Sequence, residues 1–345
     1  MQAARYYGNR DIRIDAVDSP TPGPDEVLID VGACGICGSD LAEYLHGPRH
    51  GGDHLPYTMG HELGGTVVET GNHVEIDTGT DIVLNPLIAC ESCWACAEAK
   101  YNLCQNLTVI GAHRPGGYAE QVVAPATNVV PLPPDIGPAM AAVSEPYTVA
   151  FHAIQQSPLR PGQSVAVIGM GPIGIGLVQL ARAAGADPIV ASGHRESRRN
   201  IARASGADVV LDPREVDPAE QVRDTLDIGV DVAFEVAGRE SSINDAISVT
   251  KPSGHVTLVG VFKGDVSFDP MDFVNAERSM NASAAYRTGP LADRDFGAVL
   301  DQFASGMLEP EQLVTSRIDL ADIEPDGFEA LADRGRGEVK VLVEP

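Results

Sequence analysis

The chain has 345 residues, a length that favours two domains, each able to bury its own core. Its formal net charge of −25, from 49 acidic and 24 basic residues, repels phosphate backbones, so we expect no nucleic-acid partner. No run of about 18 apolar residues occurs, and the first residues lack a signal-peptide pattern, so we expect no membrane association and a cytoplasmic location.

The acidic residues are scattered along the chain, and only four of the basic residues are lysines. This composition resembles that of proteins from salt-accumulating organisms, in which counterions screen the repulsion between acidic side chains. The alternative is an ordinary acidic enzyme. The scarcity of lysine favours a halophilic protein.

The first part of the chain is rich in glycine, proline and short β-prone runs. These runs cover residues 26–31, 65–69, 81–84 and 119–123. Strands at this spacing, with turn signals between them, predict a small all-β, barrel-like domain.

From about residue 147, strand-like and helical segments alternate. The strand-like runs cover residues 165–168, 189–191, 209–211, 230–234 and 256–259. This alternation predicts βα units and a doubly wound parallel sheet. After about residue 286 the pattern breaks, and a last strand-like run at 338–343 indicates that the tail returns to the first domain.

Four cysteines lie within fifteen residues, at Cys90, Cys93, Cys96 and Cys104. Four thiolates complete a closed tetrahedral zinc shell with no position for substrate, so we expect a structural zinc site. A site that has lost its metal is the alternative. The spacing lacks the last gap of three followed by proline that is typical of ferredoxin clusters, and cytosolic disulfides are disfavoured. Cys34 is expected to be a small buried side chain.

The candidate ligands of a second, catalytic metal are Cys37, His61, Glu62 and Glu145. Taken singly, His61 could be a turn histidine and Glu145 a solvated acid at a helix start. Their occurrence with a four-cysteine lobe favours a catalytic zinc, which keeps three protein ligands and one exchangeable position. Adjacent side chains on an extended chain point to opposite faces, so ligation by both His61 and Glu62 is awkward. The sequence leaves the choice between Glu62 and Glu145 open.

A glycine-rich sequence follows the strand-like run 165–168 and precedes an alanine-rich helical segment. Its candidate cofactor-binding residues are Gly169, Gly171, Pro172, Ile173 and Gly174. The motif alone is weak, but in this context the glycines permit a tight turn and close approach of a pyrophosphate to the helix N-terminus.

The end of the next strand-like run predicts which nicotinamide cofactor is preferred. An NAD-preferring enzyme usually places an acid there, bonded to the ribose 2′-hydroxyl, but this chain has Ser192 and Gly193. Three arginines follow, Arg195, Arg198 and Arg199. They could belong to a solvated helix start, but the missing acid favours a 2′-phosphate, so we expect NADP to be preferred and NAD to be second.

These motifs resemble the zinc-dependent medium-chain dehydrogenase/reductase superfamily over essentially the full chain. The family order is matched by Cys37-Gly-Ser-Asp40, Gly60-His-Glu62, the four cysteines, Gly116-Gly-Tyr-Ala-Glu120 and the glycine-rich loop. Glu145-Pro146 resembles the polyol branch, which contains sorbitol, 2,3-butanediol and threonine dehydrogenases. The butanediol group is also matched by Glu43-Tyr-Leu-His-Gly-Pro48 and Leu313-Val-Thr-Ser-Arg-Ile318.

The resemblance implies an α/β protein with a GroES-like β-barrel catalytic domain and a Rossmann domain with a doubly wound parallel sheet. The catalytic domain would comprise residues 1–147 and 287–345, with a zinc lobe at 88–106. The Rossmann domain would comprise residues 148–286, and the family's active site lies in the cleft between the two.

The resemblance also assigns roles to individual residues. Cys37, His61 and one or both of Glu62 and Glu145 would hold the catalytic zinc. Ser39 would accept the substrate proton, and Asp40 would orient the ligating histidine. The family often has a proton-relay histidine five residues after the zinc cysteine, where this chain has Ala42. The proton would then leave through water, the cofactor ribose or a histidine such as His46.

The expected function is therefore reversible oxidation of a secondary alcohol, vicinal diol or polyol, in which a zinc-bound alkoxide passes hydride to the nicotinamide. Each chain would hold two zinc ions, one catalytic and one structural. Threonine and glucose-type sugar dehydrogenases are alternatives within the class, and a non-catalytic NADP-binding protein is an alternative outside it. A homodimer or homotetramer is expected.

Overall fold

The structure is a computed structural model and describes residues 1–48, 54–333 and 335–345. By their internal contacts these residues form two compact units. The first unit comprises Met1–Glu145, Tyr286–Gly306 and Val314–Pro345. The second comprises Pro146–Ala285 and Met307–Leu313. None of the helices in the described ranges is long and apolar enough to span a membrane.

The N-terminal part of the chain is mostly short strands. In chain order the elements are β1 (Gln2–Gly8), β2 (Asp11–Ala16), β3 (Glu26–Gly35), α1 (Gly38–His46), β4 (Tyr57–Thr58), β5 (Glu62–Thr70), β6 (Asp81–Leu84), β7 (Leu87–Ile88), α2 (Trp94–Ala97), β8 (Thr108–Val109), β9 (Gln121–Pro125), β10 (Val129–Pro131), α3 (Pro138–Ala141) and α4 (Ser144–Gln156). Short 3₁₀ turns cover Tyr101–Leu103 and Ala126–Asn128.

The middle of the chain alternates strands with helices. Its elements are β11 (Val165–Ile168), α5 (Pro172–Ala183), β12 (Ile189–Ser192), α6 (Glu196–Ala204), β13 (Val209–Leu211), α7 (Pro218–Leu226), β14 (Val230–Glu235), α8 (Glu240–Val249), β15 (Thr250–Leu258), α9 (Met271–Val274) and β16 (Ser279–Ala282).

The C-terminal part contains α10 (Ala292–Ala304), β17 (Val314–Asp319), α11 (Glu329–Ala332) and β18 (Lys340–Glu344). A π-helical turn at Ile323–Phe328 precedes α11, and 3₁₀ turns cover Gly289–Leu291, Pro310–Gln312 and Leu320–Asp322.

The first unit is built around a seven-stranded sheet with the order β10-β6-β5-β3-β18-β17, in which β9 also pairs with β3. The pairs are antiparallel except β17 with β18. The C-terminal strand β18 therefore lies beside β3, near the start of the chain. Smaller sheets, β2-β1-β4 and β7-β8, complete the unit. Its core contains Ile29, Leu63, Tyr118 and Phe328.

The second unit is a six-stranded sheet in the order β13-β12-β11-β14-β15-β16, with every pair parallel. All four residues of β11 are buried, as expected of a central strand covered on both faces. Pro172 begins α5, where its missing N–H costs nothing. The Asp217 side chain accepts hydrogen bonds from the first turn of α7. The predicted doubly wound parallel sheet is confirmed, and the first unit is rich in strands as predicted but is not all-β, because it also contains helices such as α1 and α10.

Candidate active site

The four cysteines of the predicted lobe are brought together between β7 and β8. Their Sγ atoms all lie within 4.8 Å of one another. Cys93 Sγ is 3.5 Å from that of Cys96 and 3.9 Å from that of Cys104. Zinc with four sulfurs at about 2.3 Å separates them by about 3.8 Å, so the arrangement fits one zinc ion.

The second group of donor atoms comes from Cys37, His61 and Glu62. One ligand atom from each lies within 4.8 Å of the other two. Cys37 precedes the first turn of α1, His61 precedes β5, and Glu62 is the first residue of β5. A thiolate, an imidazole and a carboxylate form a donor set that zinc accepts with a fourth position left open.

The neighbours His61 and Glu62 both offer a donor atom to this group, and only Glu62 belongs to β5. Gly60 has φ +97°, a conformation that favours glycine. A Cβ atom at this position would also lie 2.8 Å from Cys34 Sγ and 2.9 Å from the Tyr118 ring. Because His61 lies before the first residue of β5, the alternation of a regular strand, on which the expectation of awkward joint ligation rests, need not apply to this pair.

Asp40 is a buried carboxylate that contacts two of the three donor residues, Cys37 and His61. Its Oδ1 lies 3.5 Å from His61 Nδ1, and its Oδ2 accepts a hydrogen bond of 3.2 Å from the Cys37 backbone N–H. Burial alone would raise the pKa of Asp40, but His61, Tyr118 and the Cys37 amide together lower it. Asp40 is therefore held as an anion.

Glu145 lies at the start of α4 and is 7% exposed. It hydrogen-bonds the buried Tyr286. Burial and the negative charge of Glu62 raise the pKa of Glu145 to about 7. In the described part of the chain, the three-atom group includes Glu62 and not Glu145.

Glu62 has a partner from the far end of the chain. The Lys340 ammonium, at the start of β18, donates to Glu62 and, over 3.0 Å, to the Ile36 carbonyl. Both side chains are 1% exposed. Burial alone would lower the pKa of Lys340, but the Glu62 carboxylate raises it. The two side chains form a buried ion pair, one member of which belongs to the donor group.

Two other predicted residues have simpler positions. Ser39 is exposed in the first turn of α1, two residues after Cys37. Cys34 is fully buried in β3, as expected, and belongs to neither group of donor atoms.

The glycine-rich sequence forms the turn between β11 and α5, as a dinucleotide loop requires. Gly171 precedes the first residue of α5, and Gly169 has φ +116°. Pro172, Ile173 and Gly174 form the first turn of the helix. The free N–H groups of such a turn are suited to bind a pyrophosphate.

The predicted arginines do not share one environment. A Cβ atom on Gly171 would lie 4.0 Å from Arg198 Nη1, so this guanidinium lies beside the glycine-rich loop. Burial and the nearby charge of Arg195 lower the pKa of Arg198 to about 10. Arg199 instead donates to the Gly193 carbonyl over 2.8 Å and to Asp212 over 2.7 Å.

The strand end that usually carries an acid has no room for one. A Cβ atom on Gly193 would lie 2.8 Å from Met170 Cγ and 2.9 Å from its Cβ. The preceding residue, Ser192, is buried, and its Oγ has no hydrogen-bond partner in the described ranges. An unsatisfied buried hydroxyl at this place is a donor available to a ligand.

The sequence alone does not assign roles to Lys340, Tyr118 or Asp212. Each of them bonds a predicted site residue: Glu62, Asp40 and Arg199, respectively. Lys340 carried a weak signal, because it is one of only four lysines and interrupts an apolar C-terminal strand. Tyr118 lies in the family motif at residues 116–120, but the motif does not indicate a role for this tyrosine.

Residues 23–134 match the alcohol dehydrogenase GroES-like domain, and residues 172–305 match the zinc-binding dehydrogenase domain. The chain is 35% identical over 357 aligned positions to the (R,R)-butanediol dehydrogenase of Bacillus subtilis, with 100% of each chain covered. It is 35% identical to the L-threonine 3-dehydrogenase of Pyrococcus furiosus, with 99% of this chain and 97% of that protein covered.

A solved structure shows the same likeness. The crystal structure of a zinc-binding dehydrogenase from Sinorhizobium meliloti bound to NADP has a TM-score of 0.90 and is 33% identical in sequence. The match covers 100% of this chain and 99% of that one. The expected GroES-like and Rossmann fold is confirmed.

Proposed function

The chain belongs to the polyol branch of the zinc-dependent medium-chain dehydrogenase/reductase family, and from this premise we propose that it oxidises a secondary alcohol, vicinal diol or polyol reversibly to a ketone. The observation that carries the proposal is the convergence of Cys37, His61 and Glu62 on one point. A site that had lost its chemistry would have no reason to retain this donor set.

Two zinc ions per chain fit the residues present. Cys90, Cys93, Cys96 and Cys104 would hold the structural ion, while Cys37, His61 and Glu62 would hold the catalytic one. Glu145 remains a candidate ligand, because its carboxylate is buried and electrostatically coupled to Glu62. When bound, zinc supplies Lewis-acid polarisation of the substrate oxygen, and the nicotinamide supplies a hydride acceptor.

The chain's own residues handle the proton and the geometry. Ser39 Oγ accepts the proton of the substrate hydroxyl and passes it on. Asp40 holds Nδ1 of His61, which leaves Nε2 for the metal. Because Ala42 cannot carry a proton, the next carrier is water, the cofactor ribose or a histidine such as His46.

A substrate panel tests the function. Purified protein is assayed with butanediol stereoisomers, sorbitol, L-threonine and glucose, using both nicotinamide cofactors, beside a Cys37→Ser control. We expect the highest kcat/KM for a vicinal diol or polyol, and loss of turnover in the control. A higher kcat/KM for threonine or glucose would instead identify the protein as a threonine dehydrogenase or a glucose-type sugar dehydrogenase. NADP binding with no turnover of any alcohol would indicate a non-catalytic cofactor-binding protein.

For the cofactor we propose a preference for NADP over NAD. Arg195 and Arg198 lie close enough for the charge of one to lower the pKa of the other, and Arg198 lies beside Gly171. Two cations held together in a partly desolvated place favour a doubly charged phosphate. Gly193 removes the acid that would repel it. A protein of the same fold, from Sinorhizobium meliloti, binds NADP.

The domain boundaries, the cellular location and the oligomeric state are proposals as well. We propose a catalytic domain of residues 1–147 and 287–345, a Rossmann domain of 148–286, and a cytoplasmic homodimer or homotetramer. Within the described part of the chain β16 is an edge strand that pairs with β15 alone, and Met280 on it is 37% exposed, which supports self-association. Light scattering after size-exclusion chromatography would give the oligomeric state.

A further inference from the structure

Tyr118 contacts Asp40 beside the proposed catalytic metal site but supplies none of the donor atoms of that site. Its side chain is 1% exposed, and its ring packs edge-on against Phe328 with the centroids 5.9 Å apart. The hydroxyl donates to Asp40 Oδ2 at 2.7 Å and lies 3.2 Å from the Gly35 carbonyl. The short distance to a carboxylate makes the Asp40 bond the stronger of the two.

Asp40 is the connection from Tyr118 to the donor group. One of its oxygens lies against His61 Nδ1, and the other accepts the Cys37 amide together with the Tyr118 hydroxyl. A rotation of this carboxylate would therefore disturb an imidazole and a thiolate at once. Among the hydrogen bonds and ion pairs of Asp40 in the described ranges, the one from the Tyr118 hydroxyl alone comes from outside the donor group and its immediate backbone.

We propose that Tyr118 is a positioning residue that fixes the Asp40 carboxylate and thereby sets how tightly Cys37 and His61 hold their metal. The inference rests on the catalytic metal site proposed above. It assigns the effect to the hydroxyl, because the ring alone fills the space against Phe328 and Gly60. Burial and the charge of Asp40 raise the pKa of Tyr118 well above its usual range, so the hydroxyl stays a donor.

Removal of the hydroxyl has a predictable consequence. In Tyr118→Phe the ring keeps its packing, but Asp40 loses one of the bonds that fix its rotamer. Loss of a group that supports a metal ligand from behind weakens metal binding by about 10- to 100-fold. Tyr118 reaches the metal ligands only through Asp40, so its effect should lie at the low end of this range. We expect about a tenfold faster release of the catalytic zinc, with the structural zinc unaffected.

The chain offers a matched control in Tyr44. This tyrosine is 1% exposed, packs on the same Phe328 ring at 4.9 Å, and donates to the Glu329 carboxylate at 2.6 Å. Tyr44→Phe therefore also removes a buried tyrosine hydroxyl from a carboxylate beside Phe328. It makes no hydrogen bond to Asp40, so the release of zinc should stay at the wild-type rate.

The experiment follows zinc transfer from the holoprotein to a chromogenic chelator. Wild type, Tyr118→Phe and Tyr44→Phe should each show a fast phase and a slow phase, with only the fast phase accelerated in Tyr118→Phe. The d–d spectrum of cobalt in the exchangeable site should shift in Tyr118→Phe alone, a change that a general loss of stability would not produce. In an Asp40→Asn background, Tyr118→Phe should add nothing, because its effect passes through that carboxylate.

The outcomes separate the two proposals. Wild-type protein without a second, exchangeable zinc would overturn the proposed function. Wild-type protein with that zinc, but equal release rates and equal cobalt spectra in the two tyrosine variants, would overturn the role of Tyr118 alone. An effect of Tyr118→Phe that persists undiminished beside Asp40→Asn would also overturn it.

Discussion

Arg199 Nη1 donates to Asp212 Oδ2 over 2.7 Å, and the two side chains are only 12% and 4% exposed. Asp212 also accepts from the guanidinium of Arg214, and Arg199 bonds the Gly193 carbonyl. Asp212 follows β13, and Gly193 follows β12. The ion pair therefore ties the ends of two neighbouring parallel strands to the first turn of α6.

Replacing Asp212 with Asn should destabilise the protein by about 3 kcal/mol, because Arg199 would remain nearly buried without its counter-charge. Hydrogen bonds from Arg214 and the charge of Arg199 hold the pKa of Asp212 well below its usual range. The stabilisation is therefore complete above pH about 4 and is lost as the pH falls through the lowered pKa.

Urea unfolding checks this prediction. The difference between wild type and Asp212→Asn should be constant from pH 5 to 8 and should shrink below pH 4. The matched control is Asp187→Asn, which removes an ion pair with Arg182 at 3.2 Å in which the aspartate is 74% exposed. That pair should contribute less than about 1 kcal/mol. Equal losses in the two variants would contradict the assignment.

The cofactor proposal predicts different effects for arginines of one helix. Arg198→Ala, and to a similar degree Arg195→Ala, should lower the NADP-to-NAD ratio of kcat/KM about tenfold for a lost contact of about 1.4 kcal/mol. Arg203→Ala, at the exposed end of α6, is the control and should leave the ratio unchanged. A wild-type enzyme that uses NAD as well as or better than NADP would show that the arginines serve another purpose.

The two cysteine sites should respond differently to substitution. Cys93→Ser should lose one zinc and lower the melting temperature, because its site only ties down a loop. Cys37→Ser should lose the other zinc and abolish turnover with little change in folding. Cys34→Ala should retain both ions, since Cys34 is buried outside both groups. Elemental analysis beside a thermal melt makes the measurement, and one zinc or none in active wild-type protein would contradict the two-site assignment.

The parts of this site that are local in sequence could be predicted, and the parts that join distant segments could not. The spacings of the four cysteines and of the glycine-rich loop are themselves chemical signals. The Tyr118 to Asp40 bond spans 78 residues and the Lys340 to Glu62 pair spans 278, and neither leaves a pattern in the sequence. The fold was predictable because strand and helix periods are local too.

His61 and Glu62 show how a valid local rule can mislead. Alternation of side chains holds within a strand, but it does not hold at the residue before the strand begins. The strand β5 begins at Glu62, and the sequence does not state at which of the two residues it starts. The sequence also could not separate Arg199, which is bound to Asp212, from Arg198, which lies beside Gly171. These contacts depend on the folded structure and leave no local pattern.

The buried pair of Lys340 and Glu62 gives a further prediction. In zinc-free protein, Lys340→Met removes the cation and leaves the Glu62 carboxylate buried without a counter-charge, which should cost about 3–5 kcal/mol of unfolding free energy. The double variant Lys340→Met with Glu62→Gln should recover most of that loss, because neither position of the pair then carries a buried charge. Urea unfolding of the three proteins checks this, and a double variant less stable than Lys340→Met alone would contradict it.

The acidic surface predicts a strong dependence of stability on salt. With a net charge of −25, repulsion between like charges opposes the compact state, and exposed aspartates such as Asp319, Asp322 and Asp326 lie only a few residues apart. Potassium chloride at about 1 M shortens the screening length to about 3 Å, so the melting temperature should climb steeply into the molar range. Sucrose at equal osmolality is the control, since it acts by exclusion and leaves the charges unscreened. A melting temperature that is flat with salt, or that rises as much with sucrose, would place the chain among ordinary acidic enzymes.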